Sequence, residues 1–218
     1  WRGGGCLGAR IDPDADVRRN AGIVLKHIGG TEGVNALVVA LNHPNTDVRR
    51  MAAFVLGEMA DARTVEPLIV ALNDPDAGVR STAAWALSFI RDARAVVPLI
   101  AVLGDSDEDV RRNAVGALGA IQDARAIEPL IAAFKDPSPR VRSSVAAALV
   151  RFRDARVVEV LIAALSDSDA DVRRSAADAL GRIKDARGVE PLVAMLNDPN
   201  ADVRESAVRA LGAIGDAR

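Results

Sequence analysis

The side chains that most often carry catalytic or metal-binding chemistry are scarce in this sequence. It holds two histidines, His27 and His43, and one cysteine, Cys6. A single thiol forms neither an internal disulfide nor a paired-thiol zinc site, and Cys6 lies in a glycine-rich terminus without an ordered base beside it. The run Gly3-Gly4-Gly5 lacks the lysine and the strand-to-helix context of a phosphate-binding loop. We therefore predict no catalytic residue, no metal and no cofactor, and a protein that is not an enzyme.

Regularly spaced arginines are the next candidates, because they could form a track for nucleic-acid phosphates. The dipeptide Val-Arg recurs every 31 residues, with its arginine at Arg18, Arg49, Arg80, Arg111, Arg142, Arg173 and Arg204. The residue six positions earlier is aspartate in six of the seven copies. We therefore expect most of these arginines to form ion pairs within the fold. A modest basic patch is left at Arg151, Arg182 and Arg209, with Asp178 and Glu205 among them.

The charge balance argues against a nucleic-acid or membrane partner. The 218 residues carry 28 basic and 30 acidic side chains, for a net charge of -2, so no global field attracts polyanions. No apolar run approaches the roughly 20 residues that a membrane helix needs. We predict a cytoplasmic protein without membrane contact, and we disfavour nucleic acid as the partner.

A second marker with the same period shows how the chain is organised. The tripeptide Asp-Ala-Arg begins at Asp61, Asp92, Asp123, Asp154, Asp185 and Asp216, always 31 residues apart. A fixed period of this size indicates a repeat architecture. We predict one solenoid domain over residues 1–218, in which residues 1–30 form an atypical first repeat. The other repeats cover residues 31–60, 61–91, 92–122, 123–153, 154–184 and 185–218.

Each repeat predicts two helices joined by a turn, as the copy at residues 61–91 illustrates. Its first helix follows from apolar residues at i, i+3, i+4 and i+7, which are Val65, Leu68, Ile69 and Leu72. Pro67 falls in the first turn of this helix, where a missing N–H costs little. In the next turn, we expect Asp74 to cap the second helix and Pro75 to take its first position.

Two leucine positions mark the predicted core. One recurs in the first helices, at Leu37, Leu68, Leu99, Leu130, Leu161 and Leu192. The other recurs in the second helices, at Leu25, Leu56, Leu87, Leu118, Leu149, Leu180 and Leu211. Burial of each leucine contributes roughly 1.5–3 kcal/mol, but a lone helix pair cannot bury this face, so neighbouring repeats must stack on it.

The repeat resembles a known family. Its clearest copy is Asp123-Ala124-Arg125-Ala126-Ile127-Glu128-Pro129-Leu130-Ile131, followed by an Asp-rich turn and a Val-Arg helix. It is similar to the HEAT-like repeat of the phycobilisome-lyase type over about residues 12–218. The resemblance implies an all-α fold: a right-handed α-solenoid of two-helix HEAT-like repeats with a period of 31 residues. It also implies convex first helices, concave second helices, and a polar ladder between repeats formed by the turn aspartate and the second-helix arginine. Asp74 and Arg80 fit that ladder.

Known members of this family include scaffolds, chromophore-lyase subunits, a hydroxylase and nucleic-acid enzymes, so the fold alone does not fix the function. The hydroxylase activity requires His-Glu pairs from several repeats, and neither His27 nor His43 precedes a glutamate. We exclude it on that ground. The leading hypothesis is a non-catalytic protein-binding scaffold. A phycobilin-lyase-like chaperone subunit and a nucleic-acid-binding HEAT-like protein are the alternatives.

Positions that vary between copies on the second helix predict the binding surface, because they are free from packing. Several of them hold large apolar residues, which are Ile23, Phe54, Trp85 and Phe89. We predict that these form an apolar patch on the concave surface, flanked by Arg19, Arg50 and Arg112. Aromatic residues with an arginine rim are typical of protein-binding hot spots. The alternative is that the rings cover one another, or pack under the irregular N-terminus, and add only local stability.

The sequence stops at Asp216-Ala217-Arg218, where another first helix would begin. Solenoids normally need polar terminal repeats, so we expect either a segment of a longer array or a chain that associates end to end.

Overall fold

The computed structural model describes residues 30–152 and 154–215, and all of its regular elements are helices. The described residues form twelve α-helices and seven short 3-10 helices, with no strand among them. This confirms the all-α fold. Residues 1–29 of the predicted atypical first repeat, which include Arg19 and Ile23, lie outside the described residues, as does the last Asp-Ala-Arg copy at 216–218.

First and second helices alternate along the chain, as the repeats predict. The first helices are α1 (Gly30–Ala40), α3 (Val65–Ala71), α5 (Val96–Ala101), α7 (Ile127–Ala132), α9 (Ala155–Ala164) and α11 (Val189–Ala194). The second helices are α2 (Thr46–Met59), α4 (Ala77–Ile90), α6 (Glu108–Ile121), α8 (Pro139–Leu149), α10 (Ala170–Ile183) and α12 (Ala201–Gly215). The 3-10 helices are Ala62–Thr64, Ala93–Ala95, Val102–Gly104, Ala124–Ala126, Ala133–Lys135, Ala186–Gly188 and Met195–Asn197.

The chain forms two compact units, one ending at Ala117 and the other beginning at Leu118. In the first unit, α2 packs on α4 and α3 packs on α4. In the second unit, α10 packs on α8, α9 and α12. Within each unit, second helices of consecutive repeats therefore pack side by side, and first helices pack on the second helix of their own repeat. This is the stacking of a two-helix solenoid.

The predicted leucine core is confirmed. All six leucines of the first-helix series are fully buried, at 0% exposure. In the second-helix series, Leu56, Leu87, Leu118, Leu149 and Leu180 are also at 0% exposure. Leu211 is half-buried, and Leu25 lies outside the described residues. Of the two aromatic residues in the second unit, Phe152 is buried and Phe134 is half-buried.

Close helix contacts depend on glycine at one position of the second helix. A Cβ atom on Gly57 would lie 2.6 Å from the Cβ of Ala86, and one on Gly181 would lie 2.8 Å from the Cβ of Ala210. Gly119 stands in the same relation to Ala148, at 2.8 Å. A side chain at these glycines would separate the helices.

The turn between the two helices differs from the prediction. Asp76, rather than Asp74, is the N-cap of α4, and its Oδ1 accepts a hydrogen bond from the Val79 N–H at 3.0 Å. The expectation for Asp74 is wrong because the helix begins at Ala77, so Pro75 precedes the N-cap. Asp74 Oδ1 instead accepts from the Asp76 N–H at 2.9 Å and closes the turn. Pro67 lies in the first turn of α3, as predicted.

Candidate partner-binding surface

Three aromatic side chains meet on the second helices of the first unit. The rings of Phe54 on α2 and Trp85 on α4 are stacked, with centroids 5.0 Å apart and planes 4° apart. Phe89, one turn after Trp85, contacts it edge to face at 4.5 Å and 64°. We call Phe54, Trp85 and Phe89 the aromatic cluster. Three of the four predicted apolar residues are therefore adjacent, and the fourth, Ile23, lies outside the described residues.

The cluster remains open to solvent. Phe54 is 41% exposed and Phe89 is 47% exposed, whereas Trp85 between them is half-buried. A Cβ on Gly57 would lie 3.4 Å from Trp85 Cζ3, which is an ordinary van der Waals distance. The indole therefore packs close to the backbone of α2, and the two phenyl rings present the accessible surface.

Two arginines of the predicted rim, Arg50 and Arg112, form exposed ion pairs with aspartates of their own helices. Arg50 lies one turn before Phe54 on α2, and its Nη2 donates to Asp47 Oδ1 at 2.8 Å, with 54% of the side chain exposed. Arg112 makes the equivalent contact with Asp109 at 2.9 Å on α6. Both are exposed pairs at i and i+3, so the arginines are oriented while their charge stays accessible. Arg19, the third member, lies outside the described residues.

The Val-Arg arginines form an internal ladder. Within the two units their carboxylate pairs are Arg49–Asp74, Arg80–Asp105, Arg142–Asp167 and Arg173–Asp198, at 2.7 to 2.8 Å. The arginine side chains are only 12% to 15% exposed. Each partner is the turn aspartate of the next repeat, 25 residues further on. These four arginines are therefore held in structural pairs.

Asp74, six positions before Arg80, contributes its backbone carbonyl oxygen to the contacts of this arginine. Arg80 Nη1 donates to the backbone carbonyls of Asp74 at 2.9 Å and Pro75 at 3.1 Å. The polar ladder between repeats that the resemblance implies is therefore present, and Asp74 and Arg80 both belong to it: Asp74 pairs with Arg49 of the preceding repeat and Arg80 with Asp105 of the next. The hydrogen bonds from Arg80 lower the pKa of Asp105 below its ordinary value.

His43 has a structural role in the same series. It stands where other repeats have the turn aspartate, and its Nδ1 accepts a hydrogen bond from the Asn45 N–H at 3.0 Å. Asp74 Oδ1 makes the equivalent contact in the next repeat. The imidazole therefore replaces a turn carboxylate.

Across residues 30–152 and 154–215, no group of three or more His, Cys, Asp or Glu side chains is placed to hold a metal ion.

A second surface feature lies between α10 and α12 in the second unit. An open groove of about 730 Å³ is lined by Arg174, Asp178, Gly181, Arg182, Lys184, Arg209, Ala210 and Ala213. We call it the basic groove. The sequence pattern pointed to Arg182 and Arg209, but it missed Arg174 and Lys184. Lys184 ends α10 in a left-handed conformation, at φ 60°, and so falls outside the helical series from which we selected candidates.

Among the described residues, no helix has both the length and the apolar character needed to cross a membrane.

Family and structural comparisons agree with this architecture. A model of HEAT repeats matches residues 34–104, 96–169 and 158–218. No curated protein sequence matches the chain. Among solved structures, the Escherichia coli protein YibA is 25% identical with a TM-score of 0.75, and the match covers 100% of this chain and 83% of YibA.

Two protein complexes also contain similar chains. The CpcE–CpcF complex of phycocyanin lyase from Nostoc sp. PCC7120 matches at 25% identity and a TM-score of 0.59, over 98% of this chain and 93% of that one. The karyopherin Kap95p, solved with RanGDP, matches at a TM-score of 0.71 but only 15% identity, over 98% of this chain and 35% of its own. The second likeness is one of fold alone.

Proposed function

The chain belongs to the HEAT-repeat family, and from this premise we propose that it is a non-catalytic scaffold that binds another protein through the surface of its second helices. The aromatic cluster is the proposed anchor. The observation that carries the proposal is that Phe54 and Phe89 expose 41% and 47% of their surface although both contact Trp85.

The chemistry of the cluster suits a protein partner. Aromatic side chains bury a large area at a low cost in conformational entropy, and they dominate binding hot spots together with arginine. Arg50, one turn from Phe54, adds a charged donor. Its exposed ion pair with Asp47 contributes little free energy, so a partner's carboxylate can readily replace it. The alternative that the rings only stabilise α2 and α4 predicts that their removal changes stability and leaves binding intact.

A phycobilin-lyase-like chaperone role is the second candidate. It is supported by the likeness to the CpcE–CpcF complex, which is a phycocyanin lyase. On this hypothesis, the protein would hold a bilin and its acceptor protein, and mixing with a bilin would change the visible absorption spectrum of the pigment. An unchanged spectrum would contradict it.

Nucleic-acid binding is the weakest of the three hypotheses. The recurring arginines that could follow a phosphate backbone are paired with aspartates in the ladder. A phosphate track needs accessible cations at regular intervals.

The proposed scaffold function also includes a cytoplasmic location.

End-to-end self-association is supported by exposed apolar residues on α12 and on the 3-10 helix Met195–Asn197. Val208 is 61% exposed, whereas the equivalent residues of the preceding repeats are fully buried: Ala53, Ala84, Val115, Ala146 and Ala177. Leu196 is 37% exposed where Leu165 is 3% exposed. We propose that this surface binds a second copy of the chain. The substitution Val208→Asp should then abolish any concentration-dependent increase in mass during sedimentation.

The aromatic anchor is tested by affinity capture from the source lysate with the wild-type chain and Phe54→Ala/Trp85→Ala. We expect the double variant to lose the captured protein, because truncating a hot-spot residue costs about 2 kcal/mol or more, which is roughly 30-fold in affinity. Val70→Ala is the matched control, since Val70 is 67% exposed on α3. Equal capture by all three proteins, with helical circular dichroism intact, would refute the proposal.

A further inference from the structure

We propose that the basic groove between α10 and α12 binds an acidic segment of a partner protein, whose side-chain carboxylates pair with Arg182 and Lys184. The proposal deepens the scaffold function, because it names the chemistry of a second contact on a different unit of the chain. It does not depend on the aromatic cluster.

The charge of the groove is strongly biased. Four cationic side chains line it, which are Arg174, Arg182, Lys184 and Arg209, against the single carboxylate of Asp178. The whole chain is close to neutral, with a net charge of -2. The bias is therefore local, and it favours a ligand with several negative charges at short spacing.

Two of the four cations are partly engaged. Arg209 Nη2 lies 3.2 Å from Asp178 Oδ1, and its Nη1 lies 3.9 Å from Glu205 Oε1. Arg174 pairs with Asp171 at 2.9 Å. These are exposed pairs, with arginine side chains 62% and 42% exposed, so a bound carboxylate can replace or join them at little cost.

The other two cations are available. Within the described part of the chain, neither Arg182 nor Lys184 makes a hydrogen bond or ion pair through its side chain, and both residues are exposed. An arginine that pairs with no carboxylate of its own protein can present its planar fork to one from a ligand. Arg182 is therefore the expected primary contact, and Lys184 adds a second charge.

The bottom of the groove is narrow and apolar. Gly181 of α10 and Ala210 of α12 approach so closely that a Cβ on Gly181 would lie 2.7 Å from the Ala210 Cα. With Ala213, these small residues form a floor that leaves room above it for a ligand chain. The long cationic side chains stand around this floor. An extended segment with carboxylates on both sides fits this arrangement.

The extent of the groove favours a short acidic segment over nucleic acid. The cations do not continue along α8 and α10 through the Val-Arg series, because Arg142 and Arg173 are held by Asp167 and Asp198. The groove is a short basic site, and short acidic peptides match its extent.

The test is fluorescence anisotropy of a labelled octaglutamate peptide with the full chain at low salt, beside an oligothymidylate of similar length. We expect octaglutamate to bind, to weaken with added salt, and to bind Arg182→Glu and Lys184→Glu at least about tenfold more weakly. The matched control is Lys135→Glu, which makes the same charge change at an exposed lysine outside the groove. It should bind like the wild type.

Three results would overturn the proposal: no octaglutamate binding at low salt, equal binding by Arg182→Glu and the wild type, or tighter binding of oligothymidylate than of octaglutamate. The variant Phe54→Ala/Trp85→Ala separates this proposal from the scaffold anchor. It should retain octaglutamate binding even where it loses the captured protein.

Discussion

Arg80 donates two hydrogen bonds, from Nε and Nη2, to the carboxylate of Asp105 in the following repeat, each 2.8 Å long. The same guanidinium reaches back to the carbonyl oxygen of Asp74 at the start of its own turn. One side chain therefore fixes the turn of one repeat and its position relative to the next. Because the side chains of Arg80 and Asp105 are only 15% and 11% exposed, solvent screens this pair weakly.

Removal of one partner of this pair should be costly. We expect Asp105→Ala to lower the free energy of unfolding by about 3 kcal/mol, since it leaves the Arg80 charge buried without its carboxylate. The exposed pair between Asp171 and Arg174 is the control, and Asp171→Ala should cost less than about 1 kcal/mol. Urea unfolding followed by circular dichroism measures both. Equal losses would show that burial of the ladder adds nothing.

The aspartates that begin the Asp-Ala-Arg copies predict acid sensitivity. Hydrogen bonds from the arginine two residues later lower the pKa of Asp92, Asp123, Asp154 and Asp185 from 3.8 to about 2. A lowered pKa in the folded state means that the stabilising contribution is complete above the ordinary value of 3.8. It is lost as the pH falls from there towards about 2.

The thermal midpoint of the wild type should therefore fall steeply between about pH 4 and pH 2. Asp123→Asn should be less stable than the wild type at about pH 5 and should show a smaller further loss on acidification. Asp202→Asn, at an exposed residue of α12, is the control and should follow the wild-type curve. A midpoint that does not change across this range would contradict the assignment.

The sequence predicts the stacking and a ladder between repeats, but not which aspartate each arginine binds. A 31-residue period places equivalent residues of consecutive second helices side by side, so the contact of Phe54 with Trp85 follows from their positions. The pair of Arg80 with Asp105 joins non-equivalent residues, 25 apart. Arg80, Arg111, Arg142 and Arg173 each have an aspartate both six residues before and 25 residues after them, and only the direction of the arginine side chain decides between the two.

The two candidate surfaces also differ in how far the sequence predicts them. The aromatic cluster could be selected because its residues replace small or polar ones in a helical series. Lys184 could not, because a left-handed residue at the end of α10 lies outside any helical period. The sequence pattern also does not predict which individual rings are buried. Phe134 and Phe152 are both aromatic residues near a helix end, yet only Phe152 is buried.

Two glycines of α6 should respond to alanine with opposite signs. A Cβ on Gly119 would lie 2.8 Å from the Cβ of Ala148, whereas one on Gly116 would meet nothing within 4 Å. We expect Gly116→Ala to raise the free energy of unfolding by about 1 kcal/mol through helix propensity. Gly119→Ala should lower it by about 1–3 kcal/mol, because the helices must move apart. Urea midpoints of the two variants compare them directly, and a gain from both would contradict the close contact.

Four of the six described second helices end in a left-handed residue that is not glycine, which leaves strain that can be removed. Ala60, Arg91, Gln122 and Lys184 have φ values of 50°, 56°, 61° and 60°. Ala60 is the clearest test, because it is exposed and its methyl group has no polar contact to lose. The left-handed conformation costs an alanine about 1–2 kcal/mol, and glycine adopts it freely. Part of the gain from Ala60→Gly is offset by the greater conformational freedom of glycine in the unfolded chain, so the net increase in stability should be about 0.5–1 kcal/mol.

The same replacement at Ala147, an exposed position inside α8, should instead lower stability by about 1 kcal/mol. The midpoints of urea unfolding should therefore move in opposite directions from the wild type, and a loss of stability in Ala60→Gly would show that the left-handed residue at the end of α2 is not strained.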